Sequence, residues 1–262
     1  MDIFDNEIEI IEHFQNIDTS SVLLLPSTPE CEELFMSIWD KDKWKTWRNS
    51  SGKSDPPPDF FSDALGFMMD VMRVDDHEFK NKKGKVVNPT RQRETKVTQE
   101  LRDAGVFELF PNAKPFLVVD TGLPTHEDHN YNFYKKNFAR VVGTHKKKIS
   151  NYKANHPILR TVFFVFDESS QYMEVKEKSP SLTVGTLVPA MPHLWFLDEE
   201  FVKEFRGSEI DYIVWFTPYK HCQAHDQQGN RLKLPEAVII NTSENFPKTI
   251  KYDNDLMESA EV

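Results

Sequence analysis

Two aspartates carry the chemistry most readily read from this chain. In the stretch GKSDPPPDFFSDALGFMMD, residues 52–70, Asp59 follows three prolines and Asp70 closes an apolar run, with ten residues between them. Mg²⁺ and Mn²⁺ take hard oxygen ligands in near-octahedral geometry, so carboxylates on two adjacent strands suit either ion. An ion held there polarises a phosphodiester and lowers the pKa of an attacking water. A lysine nearby orients the nucleophile and offsets the charge that develops.

Other clusters compete for attention. Gly52-Lys53-Ser54 has the look of a phosphate loop, but Trp47 stands where that loop needs a glycine. Asp55-Pro56-Pro57-Pro58 also bars the helix whose N-terminus must supply the amides, since residues before proline are pushed out of helical geometry. With the loop gone, the acidic strand end VFFVFDE says little about nucleotides. The segment VVDTGLPTHEDHN resembles metallo-β-lactamase-like hydrolases, yet it has two histidines, His126 and His129, where that family uses three. A catalytic zinc needs three ligands and an open position. Asp128 makes up the count only in an unusual arrangement, and Asp128 or Asn130 reads more simply as a helix cap. His221, Cys222 and His225 fall beside Gly229-Asn230 and read as a polar loop. Asp63, Asp75 and Asp76 read as solvated acids.

Pro58-Asp59, the ten-residue interval and Asp70 in an apolar context resemble the PD-(D/E)xK nuclease superfamily, and within it the cap-snatching endonucleases. The resemblance spans residues 10–120. It implies a restriction-endonuclease-like core and a metal-dependent endonuclease, a hydrolase using Mg²⁺ or Mn²⁺ at Asp59 and Asp70. It also implies an upstream helical acid, for which Glu33 is the candidate, and a metal-binding histidine, for which His13 is. The family lysine belongs two residues after the second acid, where this chain has Met72. Lys96, on a following helix, is the substitute.

Charge distribution bears on the substrate class, the basic middle reading either as a solvated face paired with the acidic ends or as a track for a polyanion. The net charge is −10, but residues 80–153 hold 16 Lys and Arg against 7 Asp and Glu. Such a polarised field steers charged partners. Lys82, Lys83, Lys85, Arg91 and Arg93, with Lys146, Lys147 and Lys148, are candidate phosphate contacts for DNA or RNA. Tyr131, Phe133 and Tyr134 are candidates for stacking on unpaired bases. The alternative is a non-catalytic nucleic-acid- or protein-binding module that keeps the polarised charge, and Met72 favours it.

The elements that must position these groups read as one mixed α/β domain. Its 262 residues, 39% apolar with 20 Phe and 5 Trp, suffice for a large core. Two cysteines make no disulfide framework, which suggests a reducing, cytoplasmic setting. No apolar run is long enough to span a membrane, and the acidic opening residues lack a secretory pattern. The expected plan is a helical segment over 1–48, a core over 55–170, further strands and a short helix over 185–250, and a flexible tail over 253–262. Ile3, Phe4, Ile8, Ile11 and Phe14 share a helical face. Pro29 opens a second helix capped by Thr28. Residues 59–74 lean towards paired strands, then a basic loop, then a helix over 90–104 stopped by Gly105. KPFLVVDTG reads as a buried strand. One long helix over 130–153 carries Tyr134, Phe138, Val141, His145, Ile149 and Tyr152 on its apolar stripe. RTVFFVFD, PHLWFLD, DYIVWF and EAVIIN read as strands. Strand, long helix, strand signals a crossover into a partly parallel sheet.

Overall fold

The computed structural model describes residues 6–50, 58–77, 79–80, 83–109, 129–178, 189–220, 224–225, 231–243 and 248–260. Runs of β-branched and aromatic residues build the main sheet from seven strands. These are β1 (Val22–Leu25), β2 (Arg48–Asn49), β3 (Phe60–Ser62), β4 (Phe67–Val74), β7 (Arg160–Asp167), β10 (Tyr212–Phe216) and β13 (Ala237–Asn241). Smaller pairings join β5 (Phe79–Lys80) to β6 (Val86–Val87), and β8 (Tyr172–Val175) to β9 (Ala190–Pro192) and β14 (Met257–Ser259). A further pair is β11 (Ala224–His225) with β12 (Arg231–Leu232). The helices are α1 (Glu7–Phe14), α2 (Pro29–Trp39), α3 (Lys41–Trp44), α4 (Pro89–Asp103), α5 (Val106–Leu109), α6 (Tyr131–Lys146), α7 (Ile149–Asn155) and α8 (Glu199–Val202).

The main sheet runs β1-β13-β10-β7-β4-β3-β2. β2, β3 and β4 form an antiparallel meander, and β4, β7 and β10 are parallel. β13 is antiparallel to β10 and parallel to β1. The fold is therefore α/β with a mixed sheet, as the sequence predicts. Parallel neighbours need a crossover, and α6 lies on the path from β4 to β7.

Side chains alternate along β4 and separate two cores. Phe67, Met69 and Val71 pack with Phe14 of α1 and with Leu34, Phe35 and Ile38 of α2. Met68, Met72 and Val74 pack with Tyr134, Phe138 and Val142 of α6. Asp70 shares the parity of the second set, so its carboxylate enters the layer between the sheet and α6. The β3–β4 turn fixes what stands opposite it. Gly66 sits at φ 73°, a conformation glycine adopts without strain, and the pairing Phe60–Met69 then places Asp59 across from Asp70.

Several expectations need correction. The long helix breaks: the amides of Lys147 and Lys148 both reach the carbonyl of His145, tightening one turn before α7 begins. PHLWFLD contributes only the end of β9. Beyond it, Trp195–Leu197 form a 3₁₀ turn whose Trp195 is wholly buried. The basic loop contains the β5–β6 hairpin. Ile8 is exposed, because α1 turns Ile10, Ile11 and Phe14 inward instead. Thr28 precedes α2 without a side-chain capping bond. The segment expected to be a flexible tail forms β14 and buries Met257, and the nominally helical N-terminal segment supplies β1. KPFLVVDTG, Ile3 and Phe4 lie outside the described residues. Among the described residues no helix is long and apolar enough to cross a membrane.

Candidate metal centre

Asp59 and Asp70 meet. Asp59 immediately precedes β3, one step beyond the Phe60–Met69 pair, so it stands opposite Asp70 and close enough for the two carboxyls to feel each other's charge. The backbone amide of Val71 donates to Asp59 Oδ2 at 2.8 Å. Burial first, and then the Asp70 carboxylate, push the Asp59 carboxyl up to about 7. Near neutrality Asp59 therefore holds its proton part of the time.

Asp70 is 4% exposed and is held from the helical layer. Its Oδ2 takes Nδ1 of His145 from α6 and the hydroxyl of Tyr152 from α7, the latter at 2.7 Å. Burial, then Asp70, push the Tyr152 phenol upward, so it stays a donor. His145 and Tyr152 stand on either side of the break between α6 and α7 and meet at this one oxygen. His145 keeps 19% of its side chain exposed and Asp59 is half-buried, which leaves the pair a route to solvent.

The raised Asp59 carboxyl has a consequence for stability. From the ordinary carboxyl value to about 7, the folded chain binds a proton that the unfolded chain has released. Stability therefore falls as pH rises through this window and levels off above it, by at most about 4 kcal/mol. Denaturant midpoints measured in chelator should drop from about pH 5 to pH 8, and Asp59→Asn should flatten that slope.

The structure does not bring every expected partner to this pair. Glu33 lies on α2, in the opposite layer, 3.5 Å from Arg160. His13 lies on α1, with its ring 5.4 Å from that of Phe216. It lines a groove of about 370 Å³ with Asn16, Asp18, Tyr219 and Glu236, again in the opposite layer. Lys96 is exposed on α4, 3.9 Å from Glu100, and no hydrogen bond or ion pair joins it to either aspartate among the described residues. Met72 is 2% exposed and packs in the helical-layer core.

The basic candidates divide likewise. Lys147 and Lys148 are exposed at the break that follows His145. Lys146 instead turns its ammonium to the carbonyl of Glu204. Lys83 and Lys85 are exposed between β5 and β6, Arg93 is exposed on α4, and Arg91 lies on the same helix. Lys82 lies outside the described residues. Tyr131 and Tyr134 are core residues and unavailable for base stacking.

A second cluster was passed over in the sequence. Asp76, just beyond β4, is fully buried, with His77 and His129 against it. Burial, the largest influence, pushes its carboxyl up, but the hydrogen bond to His129, the charges of both histidines and the Tyr172 hydroxyl together hold it well below the usual range. His126, Asp128, His221 and Cys222 lie outside the described residues, and of His225 the backbone alone is described. A third buried group, Asp167 with Lys220, ties β7 to α6 through the Tyr134 hydroxyl.

Two clues to the missed partners were present. His145 and Tyr152 are polar groups on an apolar helical stripe, and Asp70 is a charge on a strand buried on both faces. Each needs a partner, and together they supply one another. No family model matches the sequence, and neither the curated proteins nor the solved structures gave a match.

Proposed function

We propose that the chain is a divalent-metal-dependent nuclease that hydrolyses phosphodiester bonds of DNA or RNA. The observation that carries this reading is the Asp59–Asp70 pair, two carboxyls set opposite one another where β3 and β4 meet, with Asp70 anchored by His145 and Tyr152. Asp59 and Asp70 would hold a divalent cation, whose charge would offset the repulsion between them. Mg²⁺ usually keeps several waters and takes one or two carboxylates, which is what this pair offers. When bound, the ion supplies Lewis acidity towards the phosphodiester and acidifies its water.

The remaining roles fall to residues around the pair. His145 takes the place assigned from the sequence to Lys96: Asp70 orients its ring through Nδ1, which leaves proton transfer to Nε2. Tyr152 fixes Asp70 from the other side. Lys147 and Lys148, next in the chain after Lys146, offer phosphate contacts beside the centre. A restriction-endonuclease-like core and a cytoplasmic setting belong to the same proposal. They are supported by the strand meander that carries the acids and by a chain with only two cysteines.

The test is cleavage of end-labelled single- and double-stranded DNA and RNA with Mg²⁺, Mn²⁺ or chelator. Products with either ion and none with chelator are expected. Retention of labelled strands without cleavage under every condition would instead support the binding module, the reading that the buried Met72 favours.

A further inference from the structure

We propose that Asp76, His77 and His129 form a second metal site, separate from the carboxylate pair, that takes Zn²⁺ or a transition ion of similar size. Among the described residues this is the one place where three such side chains bring donor atoms within 4.8 Å of one another. Nδ1 of His129 stands 3.4 Å from Oδ1 of Asp76 and 3.3 Å from Oδ2. Nε2 of His77 stands 3.6 Å from Oδ1. Charge-assisted hydrogen bonds close to about 2.7–2.9 Å, so the His129–Asp76 bonds are long ones. The same separations fit ligands arranged around one ion. Ligands at about 2.0–2.2 Å in a tetrahedral array lie about 3.4 Å apart.

The surroundings are those of a held ligand. Oδ2 of Asp76 accepts the Ser170 amide at 3.1 Å, the Ser170 hydroxyl at 2.8 Å and the Tyr172 hydroxyl at 2.6 Å. That fixes the carboxylate, leaving Oδ1 within reach of both imidazoles while His129 also approaches Oδ2, the outer-sphere support that ligating carboxylates commonly have. The two rings meet edge to face with centroids 4.7 Å apart and are mostly buried. A donor set of two nitrogens and one oxygen suits Zn²⁺ or Co²⁺, whereas the all-oxygen pair at Asp59 and Asp70 suits Mg²⁺ or Mn²⁺.

Position in the chain gives the site its role. His77 leaves β4, and His129 directly precedes Asn130, whose side chain caps α6 through the amides of Asn132 and Phe133. An ion joining them ties the end of β4 to the start of α6, two points about fifty residues apart in the chain. It also anchors the start of the helix that carries His145. Cross-links that close long loops act chiefly by constraining the unfolded chain.

The test is a Co²⁺ titration of the chelator-treated full chain, read by the visible bands of tetrahedral Co²⁺ and by their loss on adding Zn²⁺. One equivalent giving tetrahedral bands should bind in the wild type and equally in Asp70→Asn, which disables the other centre. His129→Ala and, separately, His77→Ala should weaken binding about a hundredfold or more. His77 lies beyond the end of β4, so its variant guards against a His129 variant that fails to fold. Absence of tetrahedral bands in the wild type, or unchanged binding in a folded His77→Ala chain, overturns the site. Loss of Co²⁺ binding in Asp70→Asn with retention in His77→Ala reassigns the ion to the carboxylate pair.

Discussion

Asp70→Asn is expected to lower the metal-dependent cleavage rate by about a thousandfold or more, the scale of losing an ion that supplies several kcal/mol to the transition state. The same change should not lower the melting temperature of the metal-free chain. An asparagine oxygen still accepts from His145 and Tyr152, and its amide donates to Asp59 without a second charge. What should vanish is the metal-linked shift. Saturating Mg²⁺ or Mn²⁺, at about a hundred times its dissociation constant, stabilises a binding-competent chain by about 2.7 kcal/mol. For a chain of this size that is a rise of about 5–10 °C, expected in the wild type and absent in Asp70→Asn. Wild-type activity that survives the substitution would separate cleavage from the aspartate pair.

How much of this was legible in the sequence depends on what each residue's role requires. The strands β7, β10 and β13 announce themselves, because a strand buried on both faces must be apolar nearly throughout, whereas the apolar run of β4 fits a helix as well and only leans to a strand. The helix starts at Pro29 and Asn130 and the stop at Gly105 follow from local backbone chemistry, and the structure has them in place. The pairing of Asp59 with Asp70 was readable too, since a short hairpin brings residues eleven apart into register. Glu33, His13 and Lys96 were chosen by type and order alone. Nothing local records which face of a sheet a helix covers, and α1 and α2 cover the face that Asp70 avoids. His145 and Asp76 stayed hidden for a related reason. A polar residue on an apolar stripe looks like an exception until its partner, about 75 residues away for His145, is known. The split of the long helix also escaped, because a lysine run has no breaking residue.

The second large effect concerns the core rather than the chemistry. Asp167→Asn is expected to destabilise the fold by about 3–5 kcal/mol, since it leaves the Lys220 charge buried without its carboxylate. Asp167 is fully buried. Its Oδ1 accepts the Ser169 amide at 3.0 Å and hydroxyl at 2.7 Å, and its Oδ2 accepts the Tyr134 hydroxyl and, at 3.0 Å, the Trp215 indole. The Lys220 ammonium lies 3.5 Å from that Oδ2 and is 6% exposed. It also lies over the rings of Tyr134 and Trp195, at 4.7 and 5.3 Å. The melting temperature should fall by about 10 °C or more. A double variant, Asp167→Asn with Lys220→Met, removes both charges and should recover much of the loss. A single variant within about 2 °C of wild type would mean that the pair does not hold α6 to the sheet.

The central claim is that Asp59 and Asp70 hold one cation between them, and anomalous diffraction from crystals soaked in Mn²⁺ tests it most directly. The account predicts a density peak about 2.1 Å from a carboxylate oxygen of each aspartate. A fully soaked crystal with no peak there, or with Mn²⁺ only at Asp76, His77 and His129, would contradict it.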